Sequence, residues 1–173
     1  MKDDIMFING KTLLNLAPIK NMIPTKEKFM GTSYGLSEAG YDIRIKQTIE
    51  YVYDEYGERI IVTHPDSGDQ EILLGNCVLA SSIEEFQMPN QVAAEVKDKS
   101  THARNFLSVF NTAIENDWHG FLTLELVFHR RRSYTVYAGQ GIAQIRFTPT
   151  TDEAYYGNGK YQNAGNYPQP ALT

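Results

Sequence analysis

Between residues 41 and 147 the chain is built of short runs in which apolar residues recur at every second position, with Gly, Asn, Asp or Pro between the runs. A period of two puts alternate side chains on opposite faces of an extended strand. A helix would need apolar residues every three or four positions instead. Tyr41-Asp42-Ile43-Arg44-Ile45 alternates apolar and charged residues and reads as a half-buried strand. Residues 48–53 and 59–63 flank Asp54-Glu55-Tyr56-Gly57, a hairpin signal, and Pro65-Asp66-Ser67-Gly68 is a turn. Residues 71–74 and 77–80 read as a further pair of strands about a tight turn at Gly75-Asn76. Leu122, Leu124, Leu126 and Phe128 fall on one strand face, and Phe121, Thr123, Glu125 and Val127 on the other. Residues 134–137, a turn at Ala138-Gly139-Gln140-Gly141, and residues 142–147 complete the series. Regular turns at short spacing predict an all-β sandwich or distorted barrel.

Helical pattern is sparse. Residues 11–17 predict a short helix stopped near Pro18, and residues 81–86 predict one turn of helix. Residues 100–107 predict a short helix whose first N–H groups face an anion. At 173 residues one domain is expected, with no linker or internal repeat. The tail from residue 152 to 173 is rich in Gly, Asn, Tyr and Pro, and stays loose unless something pins it.

Charge and cysteine content narrow the chemistry. A formal net charge of -5 argues against coating a nucleic acid polymer, so any bound anion requires a local basic pocket. No apolar run is long enough to span a membrane, and Met1-Lys2-Asp3-Asp4 lacks the apolar core of a secretory signal. Cys77 is the only cysteine, so no internal disulfide forms, and a cytoplasmic location fits. The same count excludes the zinc nucleobase deaminases, which need a Cys-x-x-Cys pair, and the four His show no close metal-ligand spacing.

The chemistry-bearing residues concentrate between Lys99 and Glu125. Glu125 interrupts an apolar strand, and desolvation there would raise its pKa and suit it to shuttling a proton. The alternatives are a solvated face or a buried pairing with Arg. Lys99, Ser100 and Thr101 offer an ammonium, two hydroxyls and backbone donors of the kind phosphate oxygens require, although a plain polar turn has the same composition. Arg104 reaches the same region if the segment is helical; otherwise it serves in a salt bridge. Glu115 and Asp117 precede Trp118-His119-Gly120 and are placed to meet a ribose hydroxyl or simply to cap a turn. Arg130-Arg131-Arg132 reads as a solvated charge run outside the site. Glycines on either side of Asn158 permit close approach of a phosphate near Lys160.

Five segments taken together resemble the dCTP deaminase branch of the dUTPase-like superfamily. They are Ser33-Tyr34-Gly35-Leu36-Ser37-Glu38-Ala39-Gly40-Tyr41-Asp42-Ile43-Arg44, Lys99-Ser100-Thr101-His102-Ala103-Arg104, Trp118-His119-Gly120-Phe121-Leu122-Thr123-Leu124-Glu125, Tyr137-Ala138-Gly139-Gln140-Gly141-Ile142-Ala143-Gln144 and Gly159-Lys160-Tyr161-Gln162. They occur in the family's order from about residue 31 onward. The resemblance implies a homotrimer of distorted β-barrel or jelly-roll subunits with short helices and active sites shared between neighbours. The tail would close over each site. It also implies hydrolytic deamination of dCTP to dUTP, with Mg2+ on the triphosphate and no zinc. By the resemblance, Glu125 is the catalytic base, Ser100 and Arg104 surround the catalytic water, and a backbone group at Ala113 helps hold it. Lys99, Thr101 and Lys160 fall at phosphate positions, Glu115 lies near the deoxyribose, and Tyr156 and Gln162 are further substrate-binding positions of the tail. The implied partners are dCTP and dUTP, dTTP as a candidate inhibitor, and other copies of the chain.

The chain departs from the family pattern in three places. Asp98 stands where the family usually has Gly, Ala164 where its tail has a second Gln, and Leu126-Val127-Phe128-His129 continues apolar after Glu125. Two enzymatic variants stay open: a bifunctional, dUMP-forming deaminase, since Glu115 stands ten residues before Glu125, and a dUTP diphosphatase. A regulatory trimer of the same fold that binds nucleotide without turnover is the non-enzymatic alternative.

Overall fold

The computed structural model describes residues 6–110 and 113–173. The N-terminal residues read above for a signal, and Asn111 and Thr112, lie outside the described residues. In chain order the elements are α1 (Gly10–Leu16), β1 (Lys26–Phe29), β2 (Thr32–Ser37), β3 (Gly40–Arg44), β4 (Thr48–Asp54), β5 (Gly57–Thr63), β6 (Gln70–Leu74) and β7 (Cys77–Gln87). They continue with β8 (Val92–Asp98), α2 (Ser100–Ala103), β9 (Leu107–Val109), β10 (Ala113–Ile114), β11 (His119–Phe128), β12 (Tyr134–Val136) and β13 (Gly141–Pro149). The strands form three sheets, ordered β1-β2-β3-β13-β8-β10, β7-β11-β9 and β12-β4-β5-β6. The all-β class is as expected, and the strands of the described residues fall into three packed sheets.

One apolar core joins the sheets. Ile43, Ile45, Ile49, Ile60, Val96, Leu126, Ile142, Ile145 and Phe147 are fully buried. Each such side chain contributes about 1.5–3 kcal/mol of transfer free energy. The β4–β5 hairpin turns where its signal lies: Asp54 faces Gly57 in the register. The Asp54 carboxylate accepts the Tyr56 N–H at 3.0 Å and both guanidinium nitrogens of Arg59 at 2.9 and 2.7 Å. Helix α1 ends as expected before Pro18, with Ala17 left-handed at φ 48.

Four expectations need correction. Residues 71–74 and 77–80 are strands but do not pair with each other; β6 pairs with β5 and β7 with β11, so Gly75-Asn76 passes the chain between sheets. Residues 81–86 are not a turn of helix but the middle of β7. Ser82 serves a bulge opposite Phe121–Thr123, where its hydroxyl accepts the Leu122 N–H at 3.0 Å, and the Ser81 hydroxyl accepts from the Gln47 side chain at 2.9 Å. A bulge interrupts the ladder locally, and a side-chain oxygen restores the missing acceptor. The helix expected over 100–107 is only the single turn α2. Finally, β3 is covered on both faces: Asp42 is as buried as Tyr41 and Ile43.

Candidate active site

Strand β11 is the backbone of the site. Its leucine face, Leu122, Leu124 and Leu126, points into the core, as the period of two predicts. Its other face leaves Phe121, Thr123 and Glu125 half-buried. Those three side chains form one wall of a cavity of about 530 Å3. Ala113 and Ile114 of β10, with Glu115 and Trp118 from the following turn, form a second wall, and Leu79 of β7 lies opposite Glu125 in the register. The cavity therefore gathers four of the sequence-predicted positions, Glu125, Ala113, Glu115 and Tyr156. A second cavity of about 560 Å3 opens on the far side of Glu125, and the two share Leu79, Glu125 and Pro170. Glu125 is thus approachable from two directions. Among the described residues, no ion pair or side-chain hydrogen bond engages its carboxylate.

The tail closes the first cavity. It does so with hydrogen bonds that run mainly to the backbone of 117–123. The Trp118 indole N–H donates to the Tyr161 carbonyl at 2.8 Å. Gln162 accepts the His119 N–H at 2.7 Å and donates to the Asp117 carbonyl at 2.8 Å. Gly120 and Ala164 form a parallel bridge, and Phe121 N–H donates to the Ala164 carbonyl at 3.0 Å. Gly120 has φ +137, and a Cβ there would lie 2.6 Å from the Ala164 nitrogen, so both the conformation and the close approach demand glycine. Further on, the Gln169 N–H donates to the Thr123 hydroxyl at 3.0 Å. Tyr156, Tyr161, Ala164, Gln169 and Pro170 then form the outer wall. At Ala164 the tail is held through its backbone, which any side chain supplies. The lone Trp and Gln162 act as its clasps, and Trp118 had no assigned role in the sequence; its position at the start of the Glu125 strand was the available signal.

The basic segment lies elsewhere on the chain. Ser100, Thr101 and Arg104 are exposed, and among the described residues their side chains have no hydrogen-bond or ionic partner. They do not line the cavity that holds Glu125. Lys99 faces inward. Its ammonium lies 2.5 Å from the Asp42 carboxylate and 2.9 Å from the Ser33 hydroxyl, with side-chain exposures of 10% for Lys99 and 2% for Asp42. Asp98 turns away from the hydroxyls; its carboxylate accepts the Val109 N–H at 2.8 Å. Lys160 is exposed beside the Tyr161 ring, and Gln162 is occupied in the tail clasp. The apolar continuation 126–128 has a structural reason, because those residues pair with β9. The arginine triplet is exposed, as expected. Arg130 stacks on Phe106, Arg132 donates to the Asn105 carbonyl oxygen of its side chain at 2.9 Å, and Arg131 lies 3.3 Å from Glu58. No helix among the described residues is long and apolar enough to cross a membrane.

Comparison with known proteins follows the same lines. Residues 14–150 match the dCTP deaminase-like family. The chain is 30% identical over 181 residues to the dCTP deaminase of Chlamydia pneumoniae, covering 96% of this chain and 89% of that protein. It is 34% identical over 185 residues to the dCTP deaminase of Acidobacterium capsulatum, covering 96% of this chain and all of that one (100%). Among solved structures, the 2'-deoxycytidine 5'-triphosphate deaminase from Agrobacterium tumefaciens shares the fold with a TM-score of 0.55 at 11% identity, over 86% of this chain and 50% of that one. A match of this extent, over the strands that build the cavity and the segment that carries Arg104, makes the chain a member of the dCTP deaminase-like family.

Proposed function

We propose that this protein hydrolyses dCTP to dUTP and ammonia. The observation that carries the reading is Glu125, a carboxylate with no partner among the described residues, in the wall of a tail-covered cavity of about 530 Å3, a size that suits a nucleoside. Glu125 takes a proton from water as the water oxygen bonds to C4 of cytosine. That proton passes to the ring nitrogen as the C4–N double bond of the ring opens. Glu125 then takes the proton of the new C4 hydroxyl and passes it to the amino group, and the exocyclic C4–N bond breaks as the C4 carbonyl forms, releasing ammonia. Positioned proton transfer of this kind contributes about 10²–10⁴-fold. Glu115 meets the deoxyribose, and Tyr156 packs against the nucleoside from the tail side of the cavity.

The water needs an electrostatic partner, and within one chain Arg104 does not line the cavity. We assign Ser100, Thr101 and Arg104 to the site of a neighbouring copy in a homotrimer. Two observations support this: their side chains are exposed and have no partner among the described residues, and Glu125 also borders a second cavity. Hydroxyls, backbone donors and a guanidinium suit phosphate oxygens. Lys160 adds a cation from the tail. Lys99 contributes only if substrate draws it from Asp42. Mg2+ is proposed to arrive on the triphosphate, since it keeps phosphate oxygens and water as most of its ligands.

One assay tests the reading: incubation with dCTP or dUTP and Mg2+, following ammonia, dUTP and dUMP, with dTTP added as a competitor. Ammonia with dUTP supports it. Ammonia with dUMP and pyrophosphate supports the bifunctional variant, which is favoured by Glu115 and Glu125 lining one cavity. Absence of ammonia alongside measurable nucleotide binding overturns deamination.

A further inference from the structure

One titratable side chain inside the basic segment has no part in that mechanism. His102 sits between the exposed Thr101 and Ala103, yet it is only 2% exposed. The single turn α2 thus drives His102 inward while Ser100, Thr101 and Arg104 remain outside. Both ring nitrogens are engaged. Nε2 lies 2.9 Å from the Gly141 carbonyl oxygen, and Nδ1 lies 2.9 Å from the Tyr134 hydroxyl. A carbonyl oxygen only accepts, so Nε2 carries the proton; the neutral ring then accepts the Tyr134 hydroxyl proton at Nδ1.

The two partners belong to rigid parts of the fold. Gly141 opens β13, its N–H donates to the Thr32 hydroxyl at 3.0 Å, and a Cβ on it would lie 1.8 Å from the Ser33 carbonyl oxygen. Tyr134 stacks on Phe128 with ring centres 5.3 Å apart. Phe128 ends β11, the strand that carries Glu125. A turn of four residues has too few internal hydrogen bonds to hold its own shape. Its orientation must come from tertiary contacts, and the one fully buried side chain of α2 is His102.

We propose that His102 is a positioning residue: as the neutral Nε2–H tautomer it locks the turn Ser100–Ala103 onto β13 and β12, so that Ser100, Thr101 and Arg104 project as one preset group. The consequence for catalysis rests on the function proposed above, because a preset group matters only if it meets substrate. The charged and titratable groups around the ring are Lys99 on its own segment, Tyr134 on β12 and Arg132 ahead of Tyr134. None is a carboxylate; of the ring's neighbours only the Gly141 carbonyl favours the imidazolium, and burial outweighs it.

The test compares three variants of the full-length protein with wild type. His102→Leu fills the space without polar atoms, and misplacing the group is expected to lower kcat for dCTP by roughly tenfold or more. His102→Gln keeps one donor and one acceptor and is expected to stay within about threefold of wild type. Tyr134→Phe removes one of the two bonds and should fall between them. Two readouts do not depend on turnover. Nitrogen-15 spectra of wild type should show Nε2 protonated and Nδ1 bare at neutral pH. Amide exchange at Ala103 and Arg104, whose N–H groups bond the Lys99 and Ser100 carbonyls at 2.9 and 3.0 Å, should accelerate in Tyr134→Phe. The opposite tautomer, unchanged exchange, or a His102→Gln protein as impaired as His102→Leu would overturn the proposal. If His102→Leu does not fold, the other two variants and the spectra decide. Wild-type protein that releases no ammonia from dCTP would count against the proposed function, and the tautomer and exchange readouts would still decide the role of His102.

Discussion

Glu125 and Lys99 show how little a residue's type says about its job until its neighbours are known. Both are charged and both sit in segments of the family pattern. Lys99 spends its charge on buried Asp42 at 2.5 Å, whereas Glu125 keeps a carboxylate on the cavity wall with no partner among the described residues. Burying an ion pair is tolerable only when the geometry is close and the remaining donors are used, and here Ser33 takes one more. The sequence marked Glu125 because a carboxylate within an apolar alternation is conspicuous. It could not mark Asp42 as buried, because an alternating charged position normally reads as the wet face of a strand. On the proposed mechanism, Glu125→Gln should reduce ammonia release by about 10²-fold or more while nucleotide affinity, measured by calorimetry with dCTP, stays within a few-fold. Retained turnover in that variant would remove Glu125 from the role of base.

At the scale of elements, β11 and the tail behave as one unit. The strand presents Glu125 on the face whose backbone, and whose Thr123 hydroxyl, also holds the tail. Gln162 supplies two of those bonds, to His119 N–H and the Asp117 carbonyl. A net bond of this kind is worth about 0.5–1.5 kcal/mol, small against the fold but large against a segment with few other attachments. Gln162→Ala is therefore expected to leave the thermal midpoint nearly unchanged, speed proteolytic cleavage within 152–173, and raise KM for dCTP several-fold. A tail as resistant as wild type would show that Gln162 is not its clasp. The tail was legible in sequence as a loose segment that needs pinning. Its docking site was not, because almost every contact uses a backbone group on one side, and backbone groups leave no side-chain pattern to read.

At the scale of the whole molecule, Ser100, Thr101 and Arg104 do not line the cavity that holds Glu125 in one chain. Mixing Glu125→Gln with Arg104→Ala subunits under exchange conditions should restore a fraction of wild-type activity, because some interfaces then pair an intact Glu125 with an intact Arg104. Two inactive proteins that stay inactive when mixed, with exchange shown by mass, would place both residues in one chain's site. Stability should also carry a signature of His102. Burial, reinforced by the Lys99 charge and opposed by the Gly141 carbonyl, holds its pKa below the ordinary 6.5. The unfolded chain then binds the proton more readily, so stability is full above pH 6.5 and declines as pH falls toward the folded value. Denaturant titrations across that window should show the slope in wild type and a shallower one in His102→Gln.

The sequence by itself determined the β class, most strand positions, the two faces of β11 and the site candidates, because alternation, turn residues and short motifs are local properties carried by neighbouring residues. Tertiary structure alone decided that residues 81–86 extend a strand, that β6 and β7 belong to different sheets, and that Asp42 is buried. It also decided that the tail walls the cavity while Arg104 does not line it. Each of those depends on a partner distant in the chain, a bulge to be satisfied, an ion pair to be completed or an edge to be bridged, and no local pattern encodes which partner arrives.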